Sequence, residues 1–245
     1  VVSRSPHQEY IVPTYHFAAK LPDDLDLESA PYIGLVMTTM HTVQMAEVQY
    51  RDAVAIVGQG AVGNLVMQQA KLAGASKVIA IDLYDKNLEI SKACGADYVI
   101  NPRKKDLPKE VRSITSERGA DVVFEVGGSP SAVRDSSLLT RKRGKLVIVS
   151  HHVQPLQSDF SLGDELYHNE LKVIASGPFP PPSLPYPYVR WPAVELLRES
   201  VAVVAEGKVK LKTLITHRFN YKEIKEVYEM VDKHKEDFVG IILNW

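Results

Sequence analysis

The chain of 245 residues has one cysteine, Cys94, so no internal disulfide can form. A fold stapled by disulfides is excluded, and the expected compartment is a reducing cytoplasm. Cys94 lies between Ala93 and Gly95 at an expected helix end and reads as a small buried side chain. No apolar run approaches the roughly 20 residues that span a bilayer, and the polar, turn-rich start does not read as a signal peptide. Neither sign of charge dominates: 29 Lys and Arg face 30 Asp and Glu. That balance argues against nucleic acid and anionic membranes as partners, and neither an internal repeat nor a nucleic-acid motif is visible. What remains is ordinary globular composition, 45% hydrophobic and 24% charged, in a chain long enough for one or two domains.

The most informative stretch runs from Ala53 to Asp82. Val54, Ala55, Ile56 and Val57 read as a buried parallel strand that passes into Gly58-Gln59-Gly60-Ala61-Val62-Gly63. Val62, Leu65, Val66, Ala70 and Ala73 then recur at helical spacing until Gly74, so the glycines sit where a strand turns into a helix. A second apolar run, Lys77 to Ile81, ends in Asp82, about 20 residues beyond the glycine turn. Gly58 permits a tight turn, Gly60 leaves room for a pyrophosphate, and Gly63 lets the helix pack close to its strand. The helix N-terminus offers unpaired N–H groups to phosphates. Asp82 can accept from ribose hydroxyls, and its charge repels the extra phosphate of NADP. NAD is therefore the expected cofactor. A glycine-rich turn with an acid after the second strand also occurs in methyltransferases, which retention of NADH but not of S-adenosylmethionine would exclude.

On either side the pattern is coarser. Glu9 to Pro13 reads as a strand, and Lys20 to Asp26 as a turn into a short helix. Glu28 to Val48 reads as helical, with Ala30, Ile33, Val36, Met37 and Met40 near one face. Thr38 and His41, interleaved among them, either face a ligand or pack on a sheet edge. Beyond Asp82, helices are expected at Asn87 to Cys94 and Pro108 to Arg118, with further strands at Asp97 to Asn101, Asp121 to Glu125, Lys145 to Ser150 and Leu171 to Ser176. The alternation implies a doubly wound parallel six-stranded Rossmann sheet of order 3-2-1-4-5-6. Ligands then bind where the loops at Gly58, Val126 and Ser150 converge. His151, at the end of the fifth strand, is a candidate proton relay or substrate hydrogen-bond donor.

The runs Gln8-Glu9-Tyr10-Ile11-Val12-Pro13, Lys20-Leu21-Pro22-Asp23, GQGAVG, Gly95-Ala96-Asp97-Tyr98-Val99-Ile100-Asn101, Gly119-Ala120-Asp121-Val122-Val123-Phe124-Glu125, Asn169-Glu170-Leu171 and Leu214-Ile215-Thr216-His217-Arg218-Phe219 follow one another in family order. Together they resemble the medium-chain, zinc-type alcohol-dehydrogenase-like dehydrogenases. The resemblance implies NAD(P)-dependent hydride transfer between a carbonyl and an alcohol, polyol or sugar hydroxyl. It assigns Gly58, Gly60, Ala61, Val62 and Asp82 to the pyrophosphate and adenosine half of the cofactor. Val126, Gly127, Val149, Ser150 and Ser176 would flank the nicotinamide half. Lys86 either reaches a ribose hydroxyl or is solvated. Arg190 either lies near the pyrophosphate or substrate or belongs to an irregular loop.

Three segments are expected on this basis: 1–30 as the end of a GroES-like catalytic domain, 31–177 as the NAD-binding domain, and 178–245 as a crossover with a return to the catalytic domain. That return is expected as a helix at Tyr221 to Val231 and a strand at Val239 to Leu243. Most of the family's catalytic domain has no counterpart here, and neither Ile33 nor Gly34, where many relatives carry a zinc ligand, can bind metal. No zinc site is therefore expected. His151-His152, Asp164, Glu165 and His168 are an alternative set of donors, read here as solvated groups. The proline-dense stretch Pro178 to Tyr188 reads as a stiff crossover over the cleft. Unpaired strand edges near Tyr10 and Val239 imply an omitted N-terminal segment or a partner supplying the missing catalytic segment, and the resemblance implies a homodimer through the edge of the nucleotide-binding sheet. A non-catalytic dinucleotide-binding module stands as the alternative function.

Overall fold

The computed structural model describes residues 2–3, 10–13, 17–151, 162–178, 190–234 and 236–245. Two short strands, β1 (Val2–Ser3) and β2 (Ala18–Ala19), pair antiparallel. The strand expected at Glu9 to Pro13 does not form over its described part: Tyr10 to Pro13 is irregular, and no pairing engages it among the described residues. A single extended segment without a ladder partner has nothing to hold it as sheet. The expected helix at Glu28 to Val48 is shorter. A 3-10 turn at Ala30–Tyr32 leads into α1 (Ile33–Met45), and Glu47, at φ 47°, lies beyond its end. The chain divides into two compact units, residues 42–177 and residues 1–41 with 178–245, so the division falls within α1.

Residues 42–177 fold as the alternation predicts. In order they form β3 (Ala53–Val57), α2 (Ala61–Leu72), β4 (Lys77–Ile81), α3 (Asp85–Cys94), β5 (Tyr98–Ile100), α4 (Leu107–Ile114), β6 (Ala120–Glu125), α5 (Pro130–Leu139), β7 (Thr140–Ile148) and β8 (Lys172–Ala175). The strands lie in the order β5-β4-β3-β6-β7-β8, every neighbouring pair parallel. All of β3 is buried, as a central strand covered on both faces must be. Ala55, Ile79, Ile81, Ile100, Val111, Val123 and Leu139 pack together in the core.

Local chemistry sets the element ends. Asp106 caps α4 by accepting from the Lys109 amide at 3.1 Å, and Ser129 caps α5 by accepting from the Ala132 amide at 3.2 Å. Gly95 closes α3 in the left-handed region. Helix α4 stops short of the expected Arg118. The Thr115 hydroxyl donates back to Val111 O at 2.7 Å and accepts from the Gly119 amide at 3.0 Å, and Ser116 and Glu117 turn to φ 55° and 63°. Strand β7 starts earlier than the expected Lys145, because Thr140 already pairs with Ala120 before a register irregularity interrupts the ladder.

The other unit contains α6 (Ala193–Ala205), β9 (Ile215–Asn220), α7 (Ile224–Lys233) and β10 (Gly240–Asn244). Strands β9 and β10 pair in parallel. A capping box precedes α7: Asn220 accepts from the Lys222 amide, and Glu223 accepts from the Asn220 amide. Gly240 is required by close approach, since a Cβ there would stand 1.9 Å from the Tyr32 hydroxyl. Burial pushes the Tyr32 phenol up to about 12. Arg218 grips Glu28 with two bonds of 2.5 and 3.0 Å. No described helix is long and apolar enough to cross a membrane. The crossover expected at Pro178 to Tyr188 lies, apart from Pro178, outside the described residues, as does His152.

Candidate dinucleotide site

The three glycines of the turn answer to three separate constraints. Gly58, at φ +99°, donates its amide to Ile81 O at 2.8 Å, and a Cβ on it would lie 2.9 Å from Gly127 N. The turns leaving β3 and β6 therefore meet backbone to backbone. A Cβ on Gly63 would lie 1.8 Å from Gly58 O, so α2 starts directly against the turn. At Gly60 nothing lies within 4 Å of where a Cβ would stand. Gly60 is also the N-cap of α2 and supplies no side-chain cap, which leaves first-turn N–H groups facing that open space without a side-chain acceptor. Ala61 and Val62 begin the helix there.

Two amide side chains hold the turn in shape. Buried Gln59 donates to Ile56 O at 2.9 Å and accepts from the Ser91 hydroxyl at 3.0 Å, tying the turn to α3. Asn64 donates to Gln59 O at 2.7 Å. Asp82 completes the frame: one carboxylate oxygen accepts from the Gln59 amide at 2.7 Å, the other from the Tyr84 amide at 2.8 Å. Each oxygen retains capacity for a further bond. The acid thus braces the glycine turn and can still receive ribose hydroxyls.

Asp82 opens into a cavity of about 190 Å³ with walls that include Leu83, Pro102, Leu107, Ala132 and Asp135. The ring of Tyr84, one of the lining residues, has the Arg103 guanidinium 5.3 Å from its centre. Lys86 is exposed on the first turn of α3. Its neighbour Asp85 pairs with Lys104 and Asn101, which hold the Asp85 carboxyl below its ordinary value.

Val126, Gly127, Val149 and Ser150 gather around the end of β6. The Val126 amide donates to Val57 O at 2.8 Å, and the Val149 and Ser150 amides donate to Glu125 O at 3.0 and 3.3 Å. The Glu125 side chain is fully buried and accepts from the Gly128 amide at 2.7 Å and from the Ser150 hydroxyl at 3.5 Å. One buried carboxylate thereby organises both loops. Ser176 is also buried, its hydroxyl 2.9 Å from that of Thr42. His151 follows in an exposed position.

Thr38, His41 and Arg190 belong to the other compact unit. The Thr38 hydroxyl donates to Gly34 O within α1 at 3.1 Å. His41 is buried, and desolvation lowers its pKa, which favours the neutral imidazole. Arg190 is exposed, its guanidinium 5.3 Å from the Trp191 ring centre.

Comparison with known proteins agrees with this geometry. Residues 61–179 match the family model described as zinc-binding dehydrogenase. D-guloside 3-dehydrogenase of Escherichia coli is 30% identical over 221 residues, covering 90% of this chain and 62% of that protein. Sorbitol dehydrogenase of Bacillus subtilis is 28% identical over 238 residues, covering 96% and 62%. The crystal structure of an Escherichia coli oxidoreductase/dehydrogenase of unknown specificity, ECK1772, superimposes with a TM-score of 0.81 at 23% identity, covering 94% of this chain and 62% of that one. This chain is similar to the medium-chain, zinc-type alcohol-dehydrogenase-like dehydrogenases. It spans about three-fifths of the length of the curated relatives it matches.

The described residues do not fit the zinc centre that the name of the matching family model implies. Cys94 is buried in α3. Among the described residues, the one cluster of three potential donors is His234, Glu236 and Asp237, all exposed beyond α7, unlike the enclosed donor sets of zinc sites. Glu165 is buried beside Arg134 at 3.6 Å, whereas His168 lies exposed beside Asp164 at 4.0 Å. No zinc-dependent step is derived from these groups. The dinucleotide fits better: the open space at Gly60, the uncapped start of α2 and the Asp82 carboxylate match a pyrophosphate and a ribose. Glu125, Gln59 and Asp135 were not apparent as site residues in the sequence. An acid closing an otherwise apolar strand is the signal that marks Glu125.

Proposed function

We propose that this chain carries the cofactor site of an NAD-dependent dehydrogenase that moves a hydride between nicotinamide and an alcohol, polyol or sugar hydroxyl or carbonyl. The observation that carries the reading is Asp82, braced against the glycine turn and lining the cavity beside it. An anion there accepts from the two ribose hydroxyls and repels a 2′-phosphate, which supports NAD over NADP. The N-terminus of α2 receives the pyrophosphate. Val126, Gly127, Val149 and Ser150 border the nicotinamide half, and Lys86 and Arg190 contribute to holding the cofactor. His151, Thr38 and His41 are the proposed hydrogen-bonding groups for the substrate hydroxyl. When bound, the nicotinamide supplies the carbon that accepts or donates the hydride.

Titration with NADH and NADPH, followed by nicotinamide fluorescence, tests this directly. NADH saturates the site at least about tenfold more tightly than NADPH if Asp82 faces the ribose. Equal affinity overturns the Asp82 assignment, and absence of binding overturns the dinucleotide reading. A second reading is a non-catalytic dinucleotide-binding module, which the glycine turn and Asp82 would serve equally well. Oxidation of a panel of polyols by the protein, read as NADH formation, would exclude it. A cytoplasmic location and association with a second copy, or with a segment completing the catalytic part, belong to the same proposal.

A further inference from the structure

The cavity beside Asp82 contains a second acid that the dinucleotide reading leaves without a task. Asp135 lies on α5, one helical turn beyond Ser131 and Ala132, and all three line the same cavity as Asp82. Asp135 is half-buried, and its carboxylate makes no hydrogen bond or ion pair among the described residues. Burial holds its pKa above the ordinary carboxylate value, with the neighbouring Arg134 charge pulling the other way. By contrast, Asp82 and Glu125 both accept backbone amides. A partly desolvated acceptor left open in an apolar cavity is costly unless a ligand brings a donor to it.

The rest of the wall narrows what that donor is. Ile81, Leu83, Pro102, Leu107 and Ala132 present apolar surface suited to a flat ring, and no lysine or arginine lines the cavity. Its volume, about 190 Å³, is below the roughly 300–1,000 Å³ of sites for drug-sized ligands. It suits one end of a dinucleotide rather than the whole. With Asp82 engaged by the ribose, the base enters among the apolar walls. Of the common purine substituents, an exocyclic amine is a donor and an oxo group is an acceptor.

Resting on the dinucleotide reading above, we infer that Asp135 is the residue that reads the base: its carboxylate accepts from the exocyclic amine of adenine and disfavours a base carrying an oxo group there. A site built to bond one polar group rejects an analogue lacking it, because the protein group is then left unpaired.

The test compares NADH with its hypoxanthine analogue, reduced nicotinamide hypoxanthine dinucleotide, in which the amine is replaced by an oxo group. Both carry the same reporter, so nicotinamide fluorescence reads both affinities. The wild-type protein is expected to bind NADH about tenfold or more tightly. In Asp135→Asn, whose amide can donate to the oxo group, the preference shrinks to about twofold or reverses, while Asp135→Ala weakens NADH more than the analogue. Equal affinities in the wild type, or a preference that survives unchanged in Asp135→Asn, overturn the inference while leaving the dinucleotide site intact. Binding of neither dinucleotide to the wild type overturns both readings. The wild-type comparison needs no variant to fold, and circular dichroism of both variants checks that they do.

Discussion

Gly60 and Gly63 stand three residues apart in one turn, yet the structure gives the same substitution opposite consequences at the two positions. In Gly63→Ala the new methyl would lie 1.8 Å from Gly58 O, so the start of α2 and the turn must part by about 1.2 Å to reach the shortest tolerable contact of 3.0 Å. Overpacking of this kind costs roughly 1–3 kcal/mol, and the better helix propensity of alanine returns at most about 1 kcal/mol. A backbone oxygen cannot swing aside as a side chain does, which places the net near 2 kcal/mol. With a urea dependence on the order of 3 kcal/mol/M, the unfolding midpoint falls by roughly 0.7 M. In Gly60→Ala the methyl meets open space, and φ of −66° suits alanine. The weaker N-cap and the reduced unfolded-state entropy nearly cancel, so stability stays within about 0.5 kcal/mol. That methyl does, however, occupy the space assigned to the pyrophosphate, and NADH affinity falls by about tenfold or more. Urea unfolding by circular dichroism and NADH titration separate the two effects. Wild-type NADH affinity in Gly60→Ala would show that the pyrophosphate does not lie over this turn. An unchanged midpoint in Gly63→Ala would refute the close packing of α2.

Asp82→Asn keeps one carbonyl oxygen for a bracing amide but removes the charge, so NADH binding weakens and the preference over NADPH approaches unity in paired titrations. Phe124→Ala, at a fully buried position in central strand β6, costs about 3–5 kcal/mol, read as a lowered urea midpoint. His41 has a lowered folded-state pKa, so the unfolded chain binds its proton more readily. Its contribution to stability is complete above the unfolded value of about 6.5 and is lost as pH falls through the lowered folded value. Urea midpoints measured across mildly acidic pH therefore decline less steeply in His41→Gln than in the wild type.

Much of residues 42–177 was legible as sequence because its determinants are local. The apolar run of β3, the glycine turn, the periodic face of α2 and the acid after β4 are read from neighbours a few positions apart, and the strand order follows from crossover rules. The caps that Asp106 and Ser129 provide, found in the structure, are also set by amides only three positions away. Element ends were less legible: the early stop of α4 depends on the Thr115 hydroxyl, and the early start of β7 on pairing with Ala120. The Tyr10 segment looked like a strand because β propensity is local, but a strand exists only where another chain segment supplies its ladder.

The sequence by itself therefore determined the parallel α/β alternation, the glycine turn between β3 and α2 and the acid that follows β4. Only the tertiary structure decided that Asp82 braces the turn it serves, that Glu125 ties the Gly128 and Ser150 loops together, and that Asp135 enters the cavity beside Asp82. The physical reason is distance along the chain. Periodicity and turn chemistry report which face a residue occupies, whereas hydrogen-bond partners and shared cavities arise between elements that meet only when the sheet has assembled.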